Sequence, residues 1–263
     1  MAGSVTKYAL EVYRLLSKEQ QQQICHKLGE KELEAILKNF VENLYIPQSS
    51  ENGIIPQDDT FLQKIIIDVE KYRVNNTKQT ILKDYSRSQV NDMQVLKQAD
   101  VVMLMYVLGL QFSSEIKKEN LKYYEPKTIH DSSLSRAIHS LVACNCDEIE
   151  CAFEQFLYAI DIDIGENPFS SDLGIHAASM GGIWLNIVEG FAGVYESNEK
   201  LYVNPKLPKA IKSISFRYHC RGVQLDISIA DHEVIVDCKD EQEKTIYIAG
   251  KEYMFINNLI ATY

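Results

Sequence analysis

Residues 101–108, VVMLMYVL, carry no charge and no amide, and a helix built from them has no face for water. The stretch therefore predicts a core helix buried on every side. Just ahead of it, Lys97, Gln98 and Asp100 put polar groups at the mouth of a dry helix, where desolvation calls for partners or a ligand. Two readings stand here: an internal Lys97 to Asp100 pair at i, i+3 spacing, or a ligand site.

The rest of the first 196 residues also reads as helix. Tyr8, Leu10, Val12, Leu15 and Leu16 recur at helical spacing, Ser17 can cap the next helix, and a further helix over 31–44 is stopped by Pro47 and the loop 49–53. Segment 54–61, with Pro56, is too short and broken to be regular; it lines a pocket, or it packs on the domain edge through Ile55 and Phe61. Ser113 caps a helix to Tyr124 that Pro126 closes. Segment 128–135 then packs six polar side chains into eight residues before a helix to about 144. An N-cap at Asp131 or Ser132 accounts for two of the six.

After a helix over 147–160, the acidic stretch 161–168 reads as a helix exit rather than a calcium loop, because of Gly165 and Pro168. Ser170, Ser171 or Asp172 can cap a long helix carrying GIHAASMGGIW. His176 and Ser179 share a face in its first turns, where unpaired N–H groups favour an anion; the competing reading of His176 is a satisfied core histidine. Near residue 197 the period changes to two. Ile214, Phe216 and Tyr218, then Val223, Leu225, Ile227 and Ile229, alternate with polar residues around an Arg221-Gly222 turn, and a further turn is expected at Gly250-Lys251. The pattern predicts a mainly α chain: a helical domain over 1–196, and a small antiparallel β-sheet domain over 197–263.

With 27 basic and 37 acidic residues the net charge is -10, and no basic cluster is interleaved with aromatics, which argues against a nucleic-acid surface. The apolar run after Asp100 stops well short of the roughly 20 residues of a membrane span. No apolar segment follows a basic start, so the expected location is cytoplasmic, with no membrane contact. The cysteines at 25, 144, 146, 151, 220 and 238 read as free thiols. Cys144, Cys146, Cys151 and His139 lack the paired gaps of a zinc site, so no metal is expected.

Lys97-Gln98-Ala99-Asp100, the run from Tyr124-Glu125-Pro126 through Thr128-Ile129-His130-Asp131-Ser132-Ser133-Leu134-Ser135, and Gly174-Ile175-His176-Ala177-Ala178-Ser179-Met180-Gly181-Gly182 occur in that order. Together with Asn204-Pro205-Lys206-Leu207-Pro208 they closely resemble glycoside hydrolase family 65, the maltose, kojibiose, nigerose and trehalose phosphorylases. The resemblance spans nearly the whole chain. It implies the later helices of an (α/α)6 barrel catalytic domain followed by a C-terminal β domain. It implies sugar contacts at Lys97 and Gln98, and phosphate held by His176, Ser179, Ser132 and Ser133 with support from Asp100, His130 and Asp131. The implied partners are an α-linked disaccharide and inorganic phosphate as co-substrate, with no cofactor, and a possible homodimer of the complete enzyme.

The family's general acid is a glutamate in a His-Val-x-Gly-Pro-Asp-Glu-Tyr type segment, and this sequence has none. The chain therefore reads as the C-terminal part of such an enzyme, lacking a catalytic residue of its own, inactive alone and completed by an upstream polypeptide. Asp131 is the only carboxylate in the two anion-binding segments, 128–135 and 174–182, which favours phosphate as nucleophile over a base-activated water. The rival readings are a hydrolase of the acid trehalase kind and a non-catalytic remnant that binds sugar or a partner chain.

Overall fold

The structure is a computed structural model and describes residues 1–73, 80–164, 174–230 and 232–263. The chain forms two compact units, Met1–Gln48 and Ser49–Tyr263.

The first unit holds α1 (Ala2–Leu15), α2 (Lys18–Leu28) and α3 (Leu33–Asn43). Ser17 caps α2 as expected: its hydroxyl accepts from the Gln20 N–H while the Gln20 side chain accepts from the Ser17 N–H. Gly29 ends that helix in the left-handed conformation. Helix α1 buries Leu10 and Tyr13, and Arg14 pairs with Glu34 at 2.7 Å.

The second unit begins with short elements, α4 (Glu70–Arg73) and α5 (Arg87–Asn91), then α6 (Asp100–Val107), α7 (Ser114–Tyr124), α8 (Ser135–Asn145), α9 (Ile149–Asp161) and α10 (Ala177–Leu185). Helix α10 runs on into a π-helical turn, Asn186–Phe191. Leu96, Val102, Met105, Tyr124, Leu141, Val142 and Phe191 are among the side chains that fill the helical core.

Helix α6 departs from expectation. Val101, Val102 and Met105 are buried, but Met103 is 37% and Val107 44% exposed, so the helix has one open face. The N-cap of α8 is Leu134, without a side-chain cap, rather than Asp131 or Ser132. Asp131 instead donates its N–H to the Lys97 carbonyl, which commits the chain to an extended bridge just where capping was expected. Helix α10 starts at Ala177 with His176 as its N-cap residue; the expected caps Ser170, Ser171 and Asp172 lie outside the described residues, as do Gly165 and Pro168.

The β region opens at Val194, ahead of the period change at 197, and forms two four-stranded sheets. One has the order β1 (Val194–Ser197), β2 (Lys200–Val203), β6 (Lys244–Ile248), β7 (Lys251–Phe255); the other has β3 (Ser213–Cys220), β4 (Val223–Ala230), β5 (Glu233–Cys238), β8 (Asn258–Thr262). The β2–β6 pair is parallel, so the expected single antiparallel sheet is corrected: alternation reports which side of a strand is buried, not which neighbour it pairs with. The β3–β4 hairpin turns at Arg221 and Gly222, both at positive φ, as the twist of two-residue hairpins requires. The β6–β7 turn is Ala249-Gly250, one residue earlier than expected. Ile227, Ile229, Val203, Ile246 and Ile248 meet between the sheets. Ile187, Leu207 and Phe216 pack against both cores.

Candidate active site

The first two motifs are joined by backbone. Leu96 and Thr128 form a parallel bridge, with the Leu96 N–H donating to the Lys127 carbonyl at 2.9 Å and Ile129 N–H returning to Leu96 at 2.8 Å. The Asp131 N–H then donates to the Lys97 carbonyl at 3.0 Å, so the exposed side chains of Lys97 and Gln98 start beside the half-buried Asp131, Ser132 and Ser133. The Lys97 to Asp100 pair is not formed. Asp100 accepts from Gln98 Nε2 at 3.3 Å and from Gln57 Nε2 at 3.0 Å. The segment around Gln57 buries Ile54 and Phe61 and packs Ile55 against the core, and the Gln57 amide reaches the mouth of α6.

The polar run before α8 resolves into distinct tasks. Thr128 is buried and its hydroxyl donates to the Tyr124 carbonyl at 2.8 Å, which closes α7. His130 turns inward, with Nδ1 2.9 Å from Ser135 Oγ, from a left-handed backbone at φ 53°. Asp131, Ser132 and Ser133 remain at the surface edge.

The third motif sits at the start of α10. The His176 N–H and Nδ1 both reach the Asp163 carboxylate, at 2.9 and 3.0 Å. Burial pushes the Asp163 carboxyl up, but the hydrogen bonds from His176 outweigh it and hold it below the usual range. One turn on, Ser179 is fully buried and its Oγ has no hydrogen-bond partner among the described residues. Helix α10 packs on α8 where a Cβ on Gly182 would stand 2.8 Å from that of Ala137, and Asn186 Nδ2 donates to the Ala137 carbonyl at 2.9 Å. From that crossing the α8 and α10 N-termini lie roughly 3 and 8 Å along their axes. With axes about 8 Å apart, the two ends are roughly 9–13 Å from one another whichever way the helices cross.

Beneath the second motif lies a polar cluster that the sequence does not announce. Glu125 Oε1 accepts from Arg73 Nη2 at 2.5 Å and from Gln155 Nε2 at 3.0 Å, while Oε2 accepts from His139 Nδ1. Burial pushes the Glu125 carboxyl up, but hydrogen bonding, that from His139 included, reverses this and holds it well below the usual range. Glu125, His130 and His139 bring ligand atoms within 4.8 Å of one another, the geometry of a metal site. The Arg73 guanidinium already fills it, 2.5 Å from Glu125 Oε1 and 3.1 Å from His130 Nε2, and its charge opposes a second cation. Burial pushes the Cys144 thiol up to about 12 and those of Cys146 and Cys151 up to about 11, which keeps them protonated at neutral pH.

Arg73, Gln57 and Asp163 were not among the residues the sequence singled out for the site, and Glu125 had no assigned role. Only Glu125 carried a signal, its place inside the second motif.

Two family models cover these same elements. Residues 1–185 match the glycosyl hydrolase family 65 central catalytic domain, and residues 195–254 match the C-terminal domain of that family. The chain belongs to glycoside hydrolase family 65. It is 45% identical over 197 residues to kojibiose phosphorylase of Escherichia coli strain K12, covering 75% of this chain and 26% of that protein. It is 35% identical over 259 residues to kojibiose phosphorylase of Halothermothrix orenii, covering 95% of this chain and 33% of the relative. Identity to an α,α-trehalose phosphorylase of Thermoanaerobacter brockii is 32% over 258 residues, 97% of this chain and 33% of that one. A solved structure titled putative kojibiose phosphorylase from human microbiome superimposes with a TM-score of 0.89 at 26% identity, over all of this chain and 35% of its own. The chain spans about a quarter to a third of the length of these curated relatives. Among the described residues no helix is long and apolar enough to cross a membrane.

Proposed function

We propose that this chain is the later part of an inverting disaccharide phosphorylase, which cleaves an α-linked glucobiose of the kojibiose, maltose, nigerose or trehalose type with phosphate to give β-glucose 1-phosphate and glucose. The observation that carries this reading is the start of α10. His176 is held there by Asp163, and one turn into the helix Ser179 keeps a buried hydroxyl that no described residue bonds. A phosphate at that N-terminus would use the hydroxyl and the helix dipole together. The neighbouring N-terminus of α8, preceded by Ser132 and Ser133, is near enough for side chains of both helices to reach one small anion.

In inverting cleavage one carboxylic acid protonates the leaving oxygen while the nucleophile attacks from the opposite face. Phosphate brings its own negative oxygen and needs no base. Asp163 has both oxygens engaged by His176, so its part is to orient the imidazole rather than to activate water. Lys97 and Gln98 would hold the glucosyl unit. The general acid would come from the remainder of the enzyme, as would the rest of the (α/α)6 barrel, either in one polypeptide or from a partner chain. The open apolar face of α6 at Met103 and Val107 supports that placement.

The test is product analysis after this chain is joined to, or co-expressed with, the preceding part of a related phosphorylase. Phosphate-dependent release of β-glucose 1-phosphate, with the anomer read by proton NMR, is the expected result. Equal glucose release in phosphate-free buffer would overturn the assignment in favour of a hydrolase, and sugar binding without turnover would favour a non-catalytic remnant.

A further inference from the structure

We infer that Arg73 is a positioning residue for the loop Asp131-Ser132-Ser133: its guanidinium fixes the His130 imidazole in the neutral Nδ1–H tautomer and so holds the backbone that carries the loop. The functional half of this inference rests on the phosphate reading above. The tautomer does not.

The argument starts from what each group can do. A guanidinium only donates, and Arg73 Nη2 stands 3.1 Å from His130 Nε2. Nη2 has two N–H groups for three neighbours, the Glu125 carbonyl, Glu125 Oε1 and His130 Nε2, so one N–H is shared, and the Nε2 that meets it presents a lone pair. It also faces Glu125 Oε1 at 3.4 Å, but two acceptors gain nothing from each other, and the shorter contact with an obligatory donor decides the tautomer. The ring proton then sits on Nδ1, which donates to Ser135 Oγ at 2.9 Å. An imidazolium would set a second N–H against the Arg73 N–H groups. Burial opposes that charge too, and His139 and Arg136 add to the opposition.

Arg73 also gathers the backbone on either side. Its Nε donates to the Thr128 carbonyl at 2.9 Å and its Nη2 to the Glu125 carbonyl at 2.6 Å. One side chain thus fixes residues 125, 128 and 130, and the very next N–H, that of Asp131, is held by Lys97. The need for such bracing is visible in His130 itself, whose φ of 53° lies where a residue with a Cβ persists only when its surroundings over-determine it. The charge of Arg73 is neutralised by Glu125, so its effect on an anion at Ser132 and Ser133 runs through geometry rather than long-range attraction.

The test uses the 263-residue chain, 15N-labelled, with long-range proton–nitrogen correlation of the imidazoles and Ala substitution of His130 to assign its signals. At neutral pH the wild type should show His130 protonated at Nδ1 and bare at Nε2. Arg73→Met removes the donor and leaves Glu125 Oε1 as the facing acceptor, so the population should move to the Nε2–H tautomer; Arg73→Lys, which restores a donor, should move it back. Inorganic phosphate followed by phosphorus NMR should bind at least tenfold more weakly to Arg73→Met than to wild type, with Arg73→Lys between. An unchanged tautomer in a folded Arg73→Met chain overturns the inference, as does unchanged phosphate affinity. If Arg73→Met does not fold, Arg73→Lys decides: a His130 Nε2 bearing a proton in wild type or in that variant also overturns it. Wild type that ignores phosphate would sink the phosphate reading and the functional half with it, while the tautomer would still judge the brace.

Discussion

Asp163 accepts two hydrogen bonds from His176, one from its backbone N–H at 2.9 Å and one from Nδ1 at 3.0 Å. The pair fixes both where α10 begins and which ring nitrogen of His176 is turned away from the carboxylate, namely Nε2. Asp163→Asn keeps the shape but removes the charge and, by offering an amide, allows the ring to invert. In an enzyme completed with its upstream part, this variant is expected to raise KM for phosphate, with a loss of roughly 1.5–3 kcal/mol for a charge-assisted hydrogen bond, and to leave KM for the disaccharide nearly unchanged. Steady-state kinetics with each substrate varied in turn check this; an equal rise in both KM values would deny the pair its specific role.

Acid should destabilise the second unit in two stages. Burial, chiefly, pushes the His130 imidazole down to about 3 from 6.5, against the pull of Glu125 and with help from nearby Arg136. The unfolded chain takes up a proton near pH 6.5 that the folded chain refuses, so stability is complete above that pH and declines as pH falls towards 3. Glu125 adds to the loss below 4.5, because its folded carboxylate also resists protonation. Between pH 6 and 5 the His130 contribution approaches about 1.4 kcal/mol per pH unit. His130→Gln, which keeps an acceptor for Arg73, should flatten the dependence of Tm on pH in this range, and parallel curves for the two proteins would show that His130 titrates normally.

The contact between Gly182 and Ala137 carries a packing prediction. A methyl at 182 would stand 2.8 Å from the Ala137 Cβ, closer than two carbons can approach. Gly182→Ala gains up to about 1 kcal/mol of helix propensity but overpacks the crossing at a cost of roughly 1–3 kcal/mol. The net change should be a lower Tm. Adding Ala137→Gly should recover part of it, so that the double variant is more stable than the sum of the two single effects predicts. Strict additivity would mean that the helices shift apart without cost.

The helices and their caps were legible where a local rule determines them, as at Ser17 and Ser113, whose hydroxyls accept from N–H groups three residues on. The three motifs were legible as sequence, and the bridge between Leu96 and Thr128 joins two of them in the fold. Other features had no local signature. Nothing in residues 101–108 says which sides of α6 have neighbours, so an all-apolar stretch gave no sign of the open face at Met103 and Val107. Arg73 and Glu125 are 52 residues apart, and a lone arginine in a short helix looks like a solvated charge until the fold brings a carboxylate to it. The two-sheet arrangement escaped for a similar reason, since the partner of β2 is β6, more than forty residues further along.

Lys97 gives the sharpest separation of function from stability. Its carbonyl accepts from Asp131, but its side chain is exposed and makes no ion pair with Asp100, whose oxygens are taken by Gln98 and Gln57. Truncating it removes no side-chain hydrogen bond or ion pair among the described residues. Lys97→Ala should therefore change the stability of the isolated chain by less than about 0.5 kcal/mol. In the completed enzyme the same change should cost roughly 2–4 kcal/mol in kcat/KM, the loss of one charge-assisted contact in a closed site. If that loss falls on kcat, Lys97 acts on the transition state; if it falls on KM alone, it supplies uniform binding of the glucosyl unit. A folded Lys97→Ala enzyme with unaltered kinetics would place the sugar elsewhere, and a large fall in Tm would show the lysine to be structural after all.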